Sequence, residues 1–284
     1  MRSSDTAGNQ QVTYTVDVSS RSFTYDASVP LTGITYPAID GTYKEVDLTD
    51  ITGTSNDPGA NPSGISAGNV KMRLYYLDTG DTYYCGGTNF SSTTAPGDAF
   101  LNVVDVYSWN FVSSDVNWIS DKDYYVEARA LDDATLSDGT GTGNQGSVCT
   151  ARHFIIDDST PSSGITVPSQ ATVTSLPEIS GTADSTLSGM DTVEIMIKRI
   201  DGTYGDNRYW SEAPASSWSV VEKWADVTEF NGGTEWYYDT AVSWNDNTKY
   251  RITSKVTDNA GNVSVYGSVP VSYTHLTLPT ILLV

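Results

Sequence analysis

The sequence predicts an all-β chain built as tandem Greek-key β-sandwiches, and three observations predict it. The first is composition. Over 284 residues there are 24 glycines, 18 tyrosines and 7 tryptophans, while helix formers such as Leu, Lys, Glu and Arg are sparse for the length. That mixture favours strands joined by polar turns. The second is an internal repeat. Asp26, Ser28, Pro30, Gly33, Ile34, Thr35 and Pro37 of "DASVPLTGITYP" recur as Asp157, Ser159, Pro161, Gly164, Ile165, Thr166 and Pro168 of "DDSTPSSGITVP", at a constant offset of 131 residues. Seven matches at one offset mark a repeated unit. The third is period-two alternation of apolar residues inside the repeats.

From the N-terminus, residues 1–25 read as the tail of a preceding copy, because "DTAGN" at 5–9 resembles "DNAGN" at 258–262. Residues 26–156 form one unit and 157–274 the next. Their correspondence continues in order: "ITGTSNDP" at 51 answers "ISGTADST" at 179, "SGI" at 63 answers "SGM" at 188, and "VKMRLYYLDTGDTY" at 70 answers "VEIMIKRIDGTY" at 193. Further on, "WNF" at 109 matches "WYY" at 236, "VNW" at 116 matches "VSW" at 242, and "YYVEARALDDA" at 124 faces "YRITSKVTDNA" at 250. The first unit departs from the second at 132–144, where "DDATLSDGTGTGN" is a Gly-rich insertion in place of the "DNAGN" turn.

Within the units, Val193, Ile195 and Ile197 alternate with Glu194, Met196 and Lys198, as a strand with one packed face requires. Tyr250, Ile252, Ser254 and Val256 are expected inward, and Arg251, Thr253 and Lys255 outward. The first unit repeats this with Tyr124, Val126, Ala128 and Ala130 inward and Tyr125, Glu127 and Arg129 outward. Turn formers such as "DGT" at 201, "NGG" at 231, "WNDN" at 244 and "DNAGN" at 258 separate the strands. About seven short strands per unit need a second sheet over the first one's apolar face, hence a sandwich.

Trp109, Trp118, Trp218, Trp224, Trp236 and Trp244 raise two readings: a stacking platform for sugar rings, or core and end-sealing side chains. Burial is the more economical of the two. Trp118 and Trp244 are the better platform candidates, each closing a short apolar stretch beside a polar turn.

The arrangement "D.S.P....I..P", then "I.GTA", "SG...V.I.I.R.DG..Y", "W" and "Y.I...VTDNAGN" resembles the tandem bacterial Ig-like repeats of large secreted or cell-surface proteins, including adhesin stalks. The resemblance covers residues 1 to about 274 and implies immunoglobulin-like sandwiches. It also implies a spacer or adhesive role outside the cell, with neighbouring repeats and a surface protein or glycan as partners. A signal peptide and anchor are then expected outside this segment. The closing stretch breaks the pattern: "VSYTHLTLPT" at 271–280 resembles translated read-through of a sequencing adapter, so 275–284 is expected to be an artefactual tail and His275 to carry no function.

A net charge of −20, from 35 acidic against 15 basic residues, repels phosphate backbones and anionic lipid, which argues against nucleic-acid and direct membrane partners. Divalent cations remain open. Asp132, Asp133 and Asp138 in the first unit, and Asp157, Asp158 and Asp184 in the second, suggest calcium at domain edges, since calcium takes six to eight oxygens. None of these runs has EF-hand spacing, and solvated acidic turns are the plain alternative. Cys85 and Cys149 either pair as one disulfide reinforcing the first unit or stay as inert thiols. His153 lies near Asp157 and Asp158, but no GxSxG elbow accompanies it and "GTGTGN" at 139–144 lacks the Lys of a phosphate loop. The chain is therefore expected to be non-catalytic. The alternative is an accessory carbohydrate-binding or linker region of a secreted enzyme.

Overall fold

The structure, a computed structural model, describes residues 4–11, 13, 15, 20–77, 82–84, 89–92, 100–136, 139–184, 187–212, 217–230, 234–239 and 242–272. The first sandwich carries β1 (Leu31–Tyr36), β2 (Gly41–Tyr43), β3 (Asp50–Asn56), β4 (Val70–Leu77), β5 (Thr82–Tyr84), β6 (Phe90–Ser92), β7 (Leu101–Asn102), β8 (Ser108–Val112), β9 (Lys122–Ala130) and β10 (Arg152–Ile156). One sheet has the order β1-β3-β8; the other runs β2-β10-β9-β4-β5-β6, with β7 also on β4. Sequence neighbours such as β1 and β2 fall in different sheets, the crossover habit of a sandwich.

The second sandwich carries β11 (Ser162–Val167), β12 (Ile179–Asp184), β13 (Met190–Gly202), β14 (Tyr209–Ser211), β15 (Ser217–Ser219), β16 (Ala225–Asp226), β17 (Glu229–Phe230), β18 (Glu235–Tyr238), β19 (Thr248–Asp258) and β20 (Val263–Ser272). Its sheets are β11-β12-β18-β17 and β15-β14-β13-β19-β20, with β16 on β13. The chain is all-β with two sheets per domain. The expected seven strands resolve, among the described residues, into six strands of four or more residues and four shorter pieces in each sandwich. The short pieces lie where turn residues interrupt the pattern.

The alternation places the core. Tyr124, Val126, Ala128 and Ala130 on β9 are buried, as are Tyr250, Ile252, Ser254 and Val256 on β19. On β13 the inward row Val193, Ile195 and Ile197 continues to Arg199, a buried cation that composition alone does not announce. Its guanidinium donates to Asp206 at 3.0 and 2.6 Å and to Asn245 at 3.3 Å, and lies 4.5 Å from the Trp218 ring. The inward position is tolerable because the charge keeps a partner and hydrogen bonds.

The tryptophans are mostly interior. Trp109 and Trp236 are fully buried, each opposite a glycine on the neighbouring strand, Gly53 and Gly181. Trp118 and Trp244, the favoured platform candidates, are not exposed stacking surfaces. Trp118 is buried, and Trp244 is partly buried against the second core. Each ring meets a core tyrosine edge-on at 4.9 Å, Tyr124 and Tyr250 respectively. Those tyrosine hydroxyls in turn accept the N–H of Ile119 and of Asn245, both at 2.7 Å. An indole over a buried tyrosine seals the sandwich end, and burying that much apolar area outweighs leaving it for a ligand. No helix of the described residues is long and apolar enough to cross a membrane.

Candidate functional site

The entry end of the first sandwich gathers carboxylates from three parts of the chain. Asp26 precedes β1, Asp57 follows β3, and Asp132 follows β9. Each offers an oxygen within 4.8 Å of the other two. Asp57 is 5 % exposed and Asp132 1 %.

Local hydrogen bonds hold each group. Asp26 accepts the N–H and hydroxyl of Ser28 at 3.1 and 2.5 Å and the N–H of Ser63 at 2.6 Å. The Ser28 hydroxyl, followed by the Ser63 donors, lowers its pKa to about 2, so this carboxylate is ionised at any physiological pH. Asp57 Oδ2 accepts the N–H of Gly64 at 2.7 Å and, weakly, the hydroxyl of Ser63 at 3.4 Å. Asp57 Oδ1 is buried with no hydrogen-bond partner among the described residues. Asp132 accepts the N–H groups of Asn144 and Ala134 at 2.6 and 3.1 Å and the Asn144 side-chain amide at 2.8 Å. This buried acidic cluster is able to coordinate a cation.

The Asp132–Asn144 pair is one of three. Asp5 accepts the backbone N–H of Asn9 at 2.9 Å and its amide at 2.8 Å; Asp258 does the same for Asn262, at 2.8 and 3.0 Å. In both full sandwiches the Asn amide also donates to the first residue of the unit, Asn144 to the Asp26 carbonyl at 3.3 Å and Asn262 to the Asp157 carbonyl at 2.8 Å. The first sandwich achieves this across its Gly-rich insertion because Gly143 lets the chain approach: a Cβ there would lie 1.8 Å from the Asp132 carbonyl.

Of the other acidic candidates, Asp133 accepts from Ser66 and Asn69 and organises the turn before β4. Asp157 is buried and accepts the N–H of Ser159 at 2.9 Å. Asp158 accepts the N–H of Glu45, and Asp184 ends β12 exposed. Asp138 lies outside the described residues. Among the described residues of the predicted set only Asp132 joins the cluster; Asp26 and Asp57 complete it. Asp26 was visible as the repeat partner of Asp157, whereas Asp57 faces a serine in the repeat and gave no acidic signal.

Cys149 is a free, half-buried thiol whose sulfur accepts the N–H of Ala128 at 3.2 Å, and burial pushes its pKa up. Cys85 and His275 lie outside the described residues. His153 sits on β10 between Asp40 and Asp123, with both ring nitrogens at 2.8 Å from a carboxylate oxygen. Its partners are thus not Asp157 and Asp158, and neither nitrogen is left to activate a nucleophile.

The two sandwiches touch directly. The hydroxyl of Thr42 donates to the Asn259 carbonyl at 2.7 Å and Lys44 Nζ to the Gly261 carbonyl at 2.6 Å. Beside them Asp157 N–H donates to the Tyr43 carbonyl at 2.9 Å, and the Ser159 hydroxyl to Asp121 at 2.7 Å. The turn closed by Asp258 and Asn262 therefore lies against the edge strand β2.

No family model matches the chain, and no curated protein matches it. Among solved structures it is similar to the FN1–FN3 domains of chicken CNTN1, at 10 % identity and a TM-score of 0.35, over 87 % of this chain and 68 % of that one. It is also similar to a tetra-tandem repeat in the extending region of a large adhesion protein, at 14 % identity and a TM-score of 0.31, over 95 % of this chain and 55 % of that one. A two-domain fibronectin type-III segment from chicken tenascin gives 10 % identity and a TM-score of 0.26, over 85 % and 97 %. The chain spans about half the length of the adhesion-protein structure.

Proposed function

We propose that this chain is a non-catalytic segment of an extracellular repeat array, a spacer or adhesion module of a larger bacterial surface protein. The observation that carries the reading is the junction. A turn of one sandwich docks on an edge strand of the other through hydroxyl, ammonium and backbone donors aimed at carbonyls. Such a contact limits the angles available between units, which is what a spacer requires and an independent enzyme domain does not. The bacterial origin and the cell-surface location rest on the repeat motifs. A surface protein or a glycan is the ligand class that the same motifs suggest. The accessory carbohydrate-binding alternative loses support with Trp118 and Trp244 engaged in sealing the sandwich ends.

Small-angle X-ray scattering of the full chain tests the reading. A single compact globule of this length has a radius of gyration of about 19 Å. Two sandwiches of roughly 14 Å each, with centres about 40 Å apart along the strand direction, give about 24 Å. A value near 19 Å, with a symmetric pair-distance distribution, would remove the spacer reading.

A further inference from the structure

We infer that Asp26, Asp57 and Asp132 form a calcium site that fastens the chain entering the first sandwich to its β3–β4 and β9–β10 loops, and that the second sandwich has no counterpart. The inference stands apart from the spacer reading, and its failure would leave that reading intact.

Two independent observations carry it. The three carboxylates converge within 4.8 Å, and among the described residues no Lys, Arg or His side chain pairs with any of them. Like charges brought that close, two of them buried, oppose one another, so something positive belongs between them. Separately, Asp57 Oδ1 is buried without a hydrogen-bond donor, on a carboxylate whose other oxygen is already engaged by Gly64 and Ser63. A buried carboxylate oxygen without a donor calls for a bound water or ion, and here it belongs to a carboxylate of the cluster.

The donor set selects the ion. It is all oxygen, without His or Cys, which suits a hard cation over zinc. Calcium–oxygen distances of about 2.3–2.6 Å place opposite ligands about 4.6–5.2 Å apart, so oxygens no more than 4.8 Å apart are compatible with one ion between them. Magnesium demands near-ideal octahedral geometry, gives up its waters reluctantly and is usually held by only one or two carboxylates, so three carboxylates suit calcium better.

The repeat supplies the contrast. Asp157 and Asp258 occupy the positions of Asp26 and Asp132, but Ser185 stands in sequence where Asp57 does. One carboxylate is missing from the second set. There the entering chain is held by Asn262 and by the bonds to Tyr43 and Asp121 instead.

The test titrates calcium chloride into the full chain after removal of divalent ions. Binding heat and thermal unfolding are followed with magnesium chloride in parallel. At a calcium concentration a hundred times Kd, the folded-to-unfolded ratio of the first sandwich should rise about a hundredfold. The transition of the second sandwich should stay put. Asp57→Asn should weaken binding at least tenfold and abolish the shift, while unfolding without calcium no earlier than wild type because a repulsive charge is gone. A local readout guards against a variant that folds poorly: Phe23 and Tyr25, both 83 % exposed, are chymotrypsin sites just before Asp26, and calcium should slow cleavage there in wild type but not in Asp57→Asn. No binding heat and no shift in wild type would overturn the inference, as would a shift that survives Asp57→Asn. An equal response to magnesium would overturn the assignment to calcium.

Discussion

Replacing Gly181 by Ala adds one methyl group and should strongly destabilise the second sandwich. A Cβ at Gly181 would stand 2.0 Å from the Gly164 carbonyl oxygen and 2.3 Å from Trp236 Cζ2, where ordinary contacts are no shorter than about 3.3 Å. More than an ångström of room must therefore be found. Either β11 and β12 separate around their register, losing ladder hydrogen bonds, or Trp236 leaves the glycine, losing the burial and the 3.1 Å bond from its indole N–H to the Thr182 carbonyl. Overpacking alone costs about 1–3 kcal/mol, and displacing a buried tryptophan approaches the roughly 3–5 kcal/mol of its truncation. We expect about 3–5 kcal/mol, or a melting temperature lower by about 10–20 °C for a domain of this size. The control is one strand away. Gly164→Ala meets only Thr182 Oγ1 at 3.4 Å and should cost less than about 1 kcal/mol. Gly53 and Gly33 repeat the pair in the first sandwich, with Trp109 Cζ2 at 2.0 Å from the one and Thr54 Oγ1 at 4.0 Å from the other. Urea unfolding followed by tryptophan fluorescence measures all four. If Gly181→Ala lies within about 1 kcal/mol of wild type, or is no worse than Gly164→Ala, the tryptophan-on-glycine account is wrong.

His153 gives a pH dependence of defined sign. Burial of the ring pulls its pKa down, but the hydrogen bonds to Asp123 and Asp40 outweigh this and the net shift is upward. Its contribution is therefore fully present below the ordinary histidine value of about 6.5 and is lost as pH rises through the higher folded value. Wild type minus His153→Gln, compared by urea midpoint from pH 5.5 to 8.5, should shrink with rising pH, and a difference that grows would refute the clamp. Arg199→Met should destabilise the second sandwich by about 2–3 kcal/mol in the same assay. That is less than the roughly 3–5 kcal/mol of a fully buried pair, because Asp206 is 39 % exposed and can rehydrate. A cost under about 0.5 kcal/mol would mean that methionine packing against Trp218 replaces the ion pair in full.

What was legible in the sequence follows from which signals are local. Inward rows on β9 and β19 could be read because alternation is a property of each strand alone. The "GT" and "W" of both repeats could be aligned, yet their meeting as Gly53 with Trp109 and Gly181 with Trp236 depends on strand register, which no local pattern states. Trp118 and Trp244 kept a platform alternative open beside the preferred burial because an indole next to a polar turn looks the same whether it faces water or a buried tyrosine. Arg199 was hidden by its charge: the row Val193, Ile195, Ile197 points to it, but inward arginine is credible only once Asp206 and Asn245 are known to meet it. Asp57 was missed for the opposite reason, since one acid in an acidic chain carries no signal until Asp26 and Asp132 close on it.

The Asp–Asn clamp shows how the repeats tolerate their own variation. Asp5 and Asn9, and Asp258 and Asn262, are four residues apart, whereas Asp132 and Asn144 are twelve apart, yet the same two Asn-to-Asp bonds form. In each case the flanking residues pair, Ser4 with Gln10, Leu131 with Gln145, and Thr257 with Val263. An insertion between clamped ends lengthens a loop that was closed in any case, and closing a longer loop adds only a logarithmic entropy cost. The residues between the clamp are then free to differ. In the second sandwich they present the Asn259 and Gly261 carbonyls to Thr42 and Lys44. In the first, the hairpin leaves Asp132 beside Asp26 and Asp57, so the same hairpin that makes a direct protein contact in the second sandwich contributes to an acidic site at the entry end of the first. Shortening the loop to the length of the "DNAGN" turn while keeping Asp132, Asp133, Ala134, Gly143 and Asn144 separates the two roles. Clamp and fold should persist with near wild-type urea unfolding, and loss of folding would show that the insertion, not the clamp, sets the hairpin.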